Sequence, residues 1–324
     1  MDGDPPCKPV ARTPTRDGVV EAMARVRDAV TRTPLLPAEH DGRRFWIKVE
    51  SLQVGGSFKL RGATNRLARL TPEERARGVV AFSSGNHAQG VARAARRLGM
   101  PALIVMPADA PRVKLEATRL AGAEIVTYDR LTESRETIAA RIASERGATL
   151  VPSFDDVDII EGQGTAGLEI GEDLPQVARI LVPCGGGGLS AGIALALPQA
   201  QVIVAEPEGW DDMARSLEAG HPVPVGPNPP PTRCDSIQTL LVSPLTLDAL
   251  RAHNAAAAAV NEAQVAHAMR WATANLALVA EPGGAAALAA VLAGKVEADE
   301  RTAVVLSGGN VDPALFAEIL ASPA

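Results

Sequence analysis

Ser57-Phe58-Lys59-Leu60-Arg61-Gly62, preceded by Gly55-Gly56, sets a lysine just inside the start of a predicted helix. Leu60, Ala63, Leu67 and Ala68 recur at helical spacing, and Ser57 is the residue type that caps such a start. A lysine in a first helical turn is oddly placed, because the positive end of the helix dipole opposes its ammonium. The same placement favours the neutral amine, the form that attacks a carbonyl carbon to make a Schiff base. Taken alone, serine-x-lysine is by default a solvated surface turn. Three further stretches change that default.

Each of them follows an apolar run that reads as a strand. Ser83-Ser84-Gly85-Asn86-His87 opens a helix, and hydroxyls with free N–H groups at such a terminus bind carboxylate. Gly185-Gly186-Gly187-Gly188-Leu189 lies between a strand and a helix start, where glycines let backbone N–H groups close around a phosphate. Ser307-Gly308-Gly309-Asn310 ends the last strand with a hydroxyl suited to a ring nitrogen. One amine, a carboxylate cradle, a phosphate cradle and a ring-nitrogen partner describe a site for pyridoxal phosphate. The glycine loop also fits another cofactor. Gly186-x-Gly188-x-x-Ala191 satisfies the dinucleotide fingerprint, with Glu206 at the end of the next strand as the ribose-binding acid. The loop comes late, after a complete βαβ segment, and four consecutive glycines suit a phosphomonoester wrapped on several sides. Both points favour the first cofactor over nicotinamide.

A chain of 324 residues, 46% of them apolar, is long enough to bury one large or two modest cores. A formal net charge of −6 argues against nucleic-acid or anionic-membrane partners. Cys7, Cys184 and Cys234 lie far apart and without metal-type spacing, which fits free thiols in a reducing cytoplasm. No apolar run approaches the ~20 residues of a membrane helix, and the N-terminus lacks the apolar stretch of a signal peptide.

Residues 1–15 read as a loose tail, and Asp17 is the expected cap of a first helix carrying Val19, Val20, Met23, Val26 and Val30 on one face. Thr33-Pro34-Leu35-Leu36 breaks that helix, and Phe45 to Glu50 is a strand. Strands are then predicted over Gly78–Ser83, Ala102–Met106, Glu124–Tyr128 and Thr149–Val151, with helices beginning near Asn86, Pro111 and Glu133. Such alternation implies right-handed crossovers and a parallel sheet. The second half repeats it with strands at Arg179–Pro183, Gln201–Ala205 and Thr302–Leu306, a helix over Leu189–Leu197, and helices over about 243–276 and 282–293. The expected fold class is α/β with two domains, each holding a mostly parallel twisted sheet flanked by helices. A smaller domain over 69–151 closes on substrate, and 1–68 with 152–324 forms the larger, cofactor-binding one.

From roughly Thr33 to Asp312 the ordered motifs resemble the fold-type II pyridoxal-phosphate enzymes, which share the architecture of the tryptophan synthase β subunit. Within them the likeness is to the serine/threonine dehydratase (threonine ammonia-lyase) and serine racemase family. The resemblance implies that Lys59 carries the cofactor and removes the substrate's α-proton. Phe58 packs near the ring, Gly185, Gly186, Gly187, Gly188 and Leu189 hold the phosphate, and Ser307 meets the pyridine nitrogen. It further implies that Ser83, Ser84, Asn86 and His87 hold the α-carboxylate, with Asn86 also near the ring's phenolic oxygen and Glu281 near the ring. Ser84 matches the second acid/base of racemases, and Arg135 an arginine that closes over substrate. Glu206, the Trp210 carbonyl and Asp212 match a divalent-cation site (Mg, Mn or Ca) of some members. A homodimer is usual among these relatives. The chain ends where an added amino-acid-sensing domain would continue, so feedback control by such a domain is not expected.

Two departures bear on substrate. Ser236 stands where many relatives place glycine, on the entrance segment Thr232 to Leu241, and Ser153-Phe154-Asp155-Asp156 resembles the dehydratase version of its loop. The activity implied is α,β-elimination of water from a β-hydroxy amino acid, L-threonine and/or L-serine, to a 2-oxo acid and ammonia. Serine racemisation and dehydration of threo-3-hydroxyaspartate or an aryl-serine are the alternatives. A nicotinamide oxidoreductase and a non-catalytic amino-acid-binding module are the rivals from other classes.

Overall fold

Short runs of β-branched residues alternate with helices, and the computed structural model, which describes residues 12–83, 85–110 and 112–322, assembles them into two sheets. The chain opens with α1 (Arg16–Val26), β1 (Leu35–His40), β2 (Arg43–Val49), α2 (Lys59–Ala68) and α3 (Pro72–Arg77). It continues through β3 (Val79–Phe82), α4 (Asn86–Arg97), β4 (Ala102–Pro107), α5 (Arg112–Leu120), β5 (Glu124–Tyr128), α6 (Arg135–Arg146) and β6 (Thr149–Leu150). Then come α7 (Val157–Asp173), β7 (Arg179–Pro183), α8 (Gly188–Ala196), β8 (Gln201–Pro207), α9 (Asp212–Ala219) and α10 (Pro244–Ala252). The last elements are β9 (Ala256–Val260), α11 (Glu262–Leu276), α12 (Pro282–Leu292), β10 (Thr302–Leu306) and α13 (Pro313–Ala321).

The smaller sheet has the order β5-β4-β3-β6, and all its neighbours run parallel. The larger has the order β1-β2-β10-β7-β8-β9, with only the edge pair β1 and β2 antiparallel. Parallel neighbours need crossovers, and the crossover helices cover both faces, so β4, β7 and β10 are apolar and buried almost throughout. On one face of the larger sheet the core is built with α11, α12 and α13, on the other with α1, α7, α8 and α10. The smaller sheet packs α4 and α2 on one side and α6 on the other. Helix α2 touches both α4 and α7, so it lies between the two layers. Gly62 and Gly162 allow that approach: a Cβ on Gly162 would stand 2.7 Å from the Gly62 Cα.

Four expectations are corrected. Ser57 does not cap α2; it forms an isolated bridge with Gly308, Phe58 is the N-cap, and Lys59 is the first helical residue. Thr15, not Asp17, caps α1, its side chain accepting from the Gly18 N–H. Leu35–His40 is a strand rather than a break, because β2 offers it an open edge. The predicted helices over about 243–276 are present as α10 and α11, but the strand β9 lies between them; its alanines carry no β-branched signal and are strand only because they complete the ladder beside β8. No helix among the described residues is long and apolar enough to cross a membrane. Cys184 and Cys234 are buried free thiols, and Cys7 lies outside the described residues.

Candidate active site

The ends of β7 and β10, the start of α2 and the start of α4 meet around two adjoining cavities. The inner one, about 70 Å3, is lined by Phe58, Lys59, Asn86, Gly185 to Leu189, Glu281 and Ser307, with Ser153, Phe154, Ser236, Ile237 and Thr239. The outer, about 700 Å3, shares Lys59, Asn86 and Glu281 and adds Ser83, His87, Lys114, Arg135 and Asp235. Lys59 and Ser307, 248 positions apart in sequence, are thus brought to one place by the parallel topology.

Lys59 Nζ donates to the Ser153 carbonyl at 3.2 Å and stands 5.0 Å from the centre of the Phe58 ring. Burial pulls its pKa down to about 8, against a smaller upward pull from Glu281. The neutral amine is therefore about a tenth of the population at pH 7, several hundredfold more than for an ordinary lysine. Opposite it, the glycines form a cradle at the start of α8. A Cβ on Gly185 would sit 2.7 Å from Thr239 Oγ1, one on Gly186 would run into the Phe154 ring, and Gly187 adopts φ +86°. The Gly186 carbonyl is pinned by the Thr246 hydroxyl at 2.8 Å. A backbone-lined cradle at a helix N-terminus, beside a half-buried amine of lowered pKa, fits pyridoxal phosphate in its phosphate and its aldehyde alike.

Asn86 donates to Glu281 Oε1 at 2.5 Å and accepts from Asn310 Nδ2 at 2.8 Å, while Asn310 also donates to the Gly55 carbonyl at 2.7 Å. Glu281 is raised to about 7, by burial first and by Asp235 next. Ser307 is buried at the end of β10; its carbonyl accepts from the Phe58 N–H at 3.2 Å, tying the lysine turn to the last strand. His87 Nε2 lies 3.0 Å from the Val151 carbonyl, which fixes that nitrogen as the N–H donor. Burial holds the ring neutral, with a pKa near 3. Nδ1 is then an acceptor without a partner among the described residues. What His87 offers an anion is its backbone N–H in the first turn of α4, not its ring. Ser84 lies outside the described residues. Arg135 is half exposed, paired with Glu136 at 2.8 Å and stacked 5.5 Å over Phe82 on the cavity wall. Lys114 meets Asp235 at 2.5 Å across the cavity mouth. Asn310, Phe154 and Thr239 fall in stretches the sequence singles out, but no role of their own was read there, because each acts on a partner distant along the chain.

Glu206, Trp210 and Asp212 share the turn from β8 to α9, yet Glu206 spends both oxygens on the Met213 and Ala214 N–H groups, each at 2.9 Å. Asp212 Oδ2 is buried without a partner among the described residues. No group of three or more His, Cys, Asp or Glu side chains among the described residues could hold a metal ion. The turn does not fit as a ready cation cage, and no chemistry is routed through one.

Fold and site together define an enzyme that uses pyridoxal phosphate. The chain belongs to the family described as pyridoxal-phosphate dependent enzymes, which matches residues 26–308. It is 40% identical over 311 residues to an L-threo-3-hydroxyaspartate ammonia-lyase of Pseudomonas sp, covering 93% of this chain and 97% of that one. It is 40% identical over 314 residues to an L-threonine ammonia-lyase of Thermotoga maritima, covering 94% and 78%. The structure of maize serine racemase superposes with a TM-score of 0.89 at 35% identity, over 95% of this chain and 97% of that chain. The nicotinamide and non-catalytic readings are thereby overturned, and Glu206 is buried and accepts from two first-turn N–H groups of α9 rather than facing a ligand.

Proposed function

We propose that the protein eliminates water from a β-hydroxy amino acid, L-threonine and/or L-serine, to give a 2-oxo acid and ammonia. The observation that carries this reading is the half-buried Lys59 amine, lowered to about 8 and lining one cavity with the glycine cradle. When bound, pyridoxal phosphate supplies an electron sink conjugated to the amino acid's α-carbon. Gly185 to Leu189 would hold the phosphate with backbone N–H groups, and Phe58 would border the ring. Ser307 would offer the ring nitrogen a neutral hydroxyl, which would moderate the sink and suit early loss of a β-leaving group. The first-turn N–H groups of α4, with Ser83 and Asn86, meet the α-carboxylate. Lys59, as the neutral amine, takes the α-proton, and the β-hydroxyl leaves as water once protonated. Water returns at the α-carbon as ammonia is lost, so the net change is amino acid to 2-oxo acid plus ammonium. The segment 69–151, which brings Ser83, Lys114 and Arg135 to the cavity, is the part that closes on substrate.

A second reading has an observation of its own. Lys114 and Arg135 line the outer cavity, paired there with Asp235 and Glu136, and a side-chain carboxylate such as that of L-threo-3-hydroxyaspartate would exchange with those partners. A panel of L-threonine, L-serine and L-threo-3-hydroxyaspartate, assayed for 2-oxo acid and for the opposite enantiomer, tests both. We expect 2-oxo acid from at least one of the three, in excess over any enantiomer formed. Release of the enantiomer alone would replace elimination with racemisation.

We also infer a cytoplasmic homodimer. Leu52, Val54 and Val279 are exposed apolar side chains near the lysine turn, the kind of surface a self-complementary interface covers. Light scattering should return twice the chain mass of 33.6 kDa, and a single-chain mass would end the inference.

A further inference from the structure

We propose that Asn310 is a positioning residue for the cofactor: its side-chain amide fixes which way the Asn86 amide faces, so that Asn86 presents N–H groups rather than a carbonyl beside Lys59. The inference rests on the pyridoxal-phosphate reading and extends it to a side chain with no assigned part in it.

The chain leaving β10 runs antiparallel to the turn that leads into Lys59. The Phe58 N–H donates to the Ser307 carbonyl at 3.2 Å, Ser57 bridges Gly308, and the Gly309 N–H donates to the Gly56 carbonyl at 2.9 Å. The Asn310 side chain adds the next rung, its Nδ2 donating to the Gly55 carbonyl at 2.7 Å. Its oxygen lies over Gly56, where an added Cβ would stand 2.3 Å from it, so the glycine is what admits the amide.

Polarity then passes from group to group. A backbone carbonyl only accepts, so the end of Asn310 that faces Gly55 is its NH2. An NH2 only donates, so its second hydrogen needs an acceptor, and Asn86 turns Oδ1 to it at 2.8 Å. The Asn86 NH2 is thereby left for Glu281, donating to Oε1 at 2.5 Å. Its other hydrogen has no acceptor among the described residues, and Asn86 is buried on the wall of the inner cavity with Lys59. Glu281 does not set this orientation alone, because a carboxyl accepts as the anion and can donate as the acid. The Asn310 NH2 has one polarity in either case.

The orientation matters for the ring. Next to its aldehyde, pyridoxal carries an ionisable hydroxyl that becomes an anionic acceptor. A site that holds the aldehyde at Lys59 gains from a donor at Asn86 and loses from a carbonyl there.

The test strips the full chain of cofactor and titrates it with pyridoxal phosphate, following the change in visible absorption. Wild type, Asn310→Ala, Asn86→Ala and the double variant are compared, with the thermal midpoint of each. Asn310→Ala should weaken binding about tenfold, the low end for a hydrogen bond to a charged group. In the Asn86→Ala background the same change should weaken it less than about twofold, because the group Asn310 acts through is gone. Asn310→Asp, which keeps the shape but offers no N–H, should weaken binding at least as much as alanine, and serves as the check if alanine unfolds the turn. Equal losses in the two backgrounds would overturn the proposal and leave Asn310 a rung beside the lysine turn. Alanine or aspartate variants that bind like wild type would overturn it too. If wild type itself shows no spectral change with pyridoxal phosphate, the failure lies in the functional reading beneath.

Discussion

Replacing Lys59 by alanine is expected to lower kcat/KM for 2-oxo acid formation by roughly 10^2- to 10^4-fold, the range lost when a positioned proton-transfer group is removed. Borohydride treatment of the wild-type holoenzyme should fix the cofactor on the peptide containing Lys59, and the variant should yield no labelled peptide. The stability readout separates chemistry from scaffolding. The Lys59 amine makes one hydrogen bond, to the Ser153 carbonyl at 3.2 Å, and burial disfavours its charged form. Removing it therefore leaves little unpaired behind, and the thermal midpoint should hold or rise. A variant that keeps wild-type turnover would sink the assignment of the amine. One that loses turnover only in step with a collapsing midpoint would make Lys59 structural. Acid should act in the same direction on the wild type. With a pKa of about 8, the base form declines as pH falls below that value, so turnover should fall with it.

Much of this site was legible because the chemistry is punctuated locally. A strand, a glycine run and a helix start fall together at Pro183 to Leu189, and the reader needs no distant residue to see a phosphate cradle there. The same holds for Ser83 to His87 and for the turn before Lys59. The parallel layers were legible for a related reason, since β3, β4, β7 and β10 carry their burial in their own composition. What escaped was set by neighbours. β9 is a run of alanines made strand by the edge of β8, and β1 is a Pro-containing segment made strand by β2. The Asn86–Glu281 contact joins residues 195 positions apart, and neither advertises the other. The turn at Glu206 was expected by resemblance to hold a cation, whereas Glu206 already accepts from two first-turn N–H groups of α9. Composition reveals how many charges a stretch has, not what they already hold.

The same lesson governs the charged residues beneath the lysine helix, which in sequence look like ordinary solvated positions. Arg61, two residues after Lys59, is fully buried and holds both carboxylates of a closed group: Glu50 through Nε and an Nη at 2.8 Å, and Glu169 through two Nη at 2.7 and 2.8 Å. Lys48 completes it, donating to Glu169 at 2.6 Å and to the Thr33 carbonyl at 2.7 Å. Two cations meet two anions, and the group is neutral and dry. Arg61→Leu would leave two buried carboxylates with one ammonium, and the loss of unfolding free energy at neutral pH should be about 3–5 kcal/mol. Arg61→Lys should recover only part of that, because an ammonium cannot meet two carboxylates with paired donors. The pH dependence carries its own sign. Burial alone would raise the Glu50 carboxyl, but Arg61 beside it overrides burial and the net shift is downward. In wild type Glu50 therefore contributes stability above its unfolded pKa, and that stability is lost as pH falls through the folded one. Without Arg61 the shift reverses, the anion becomes a cost at neutral pH, and protonation relieves it. The gap between variant and wild type in urea unfolding should thus be widest near pH 7 and shrink below about pH 4.5. A gap under about 1 kcal/mol, or one of the same size at both pH values, would mean that the buried group does not anchor α2 in the way its geometry requires.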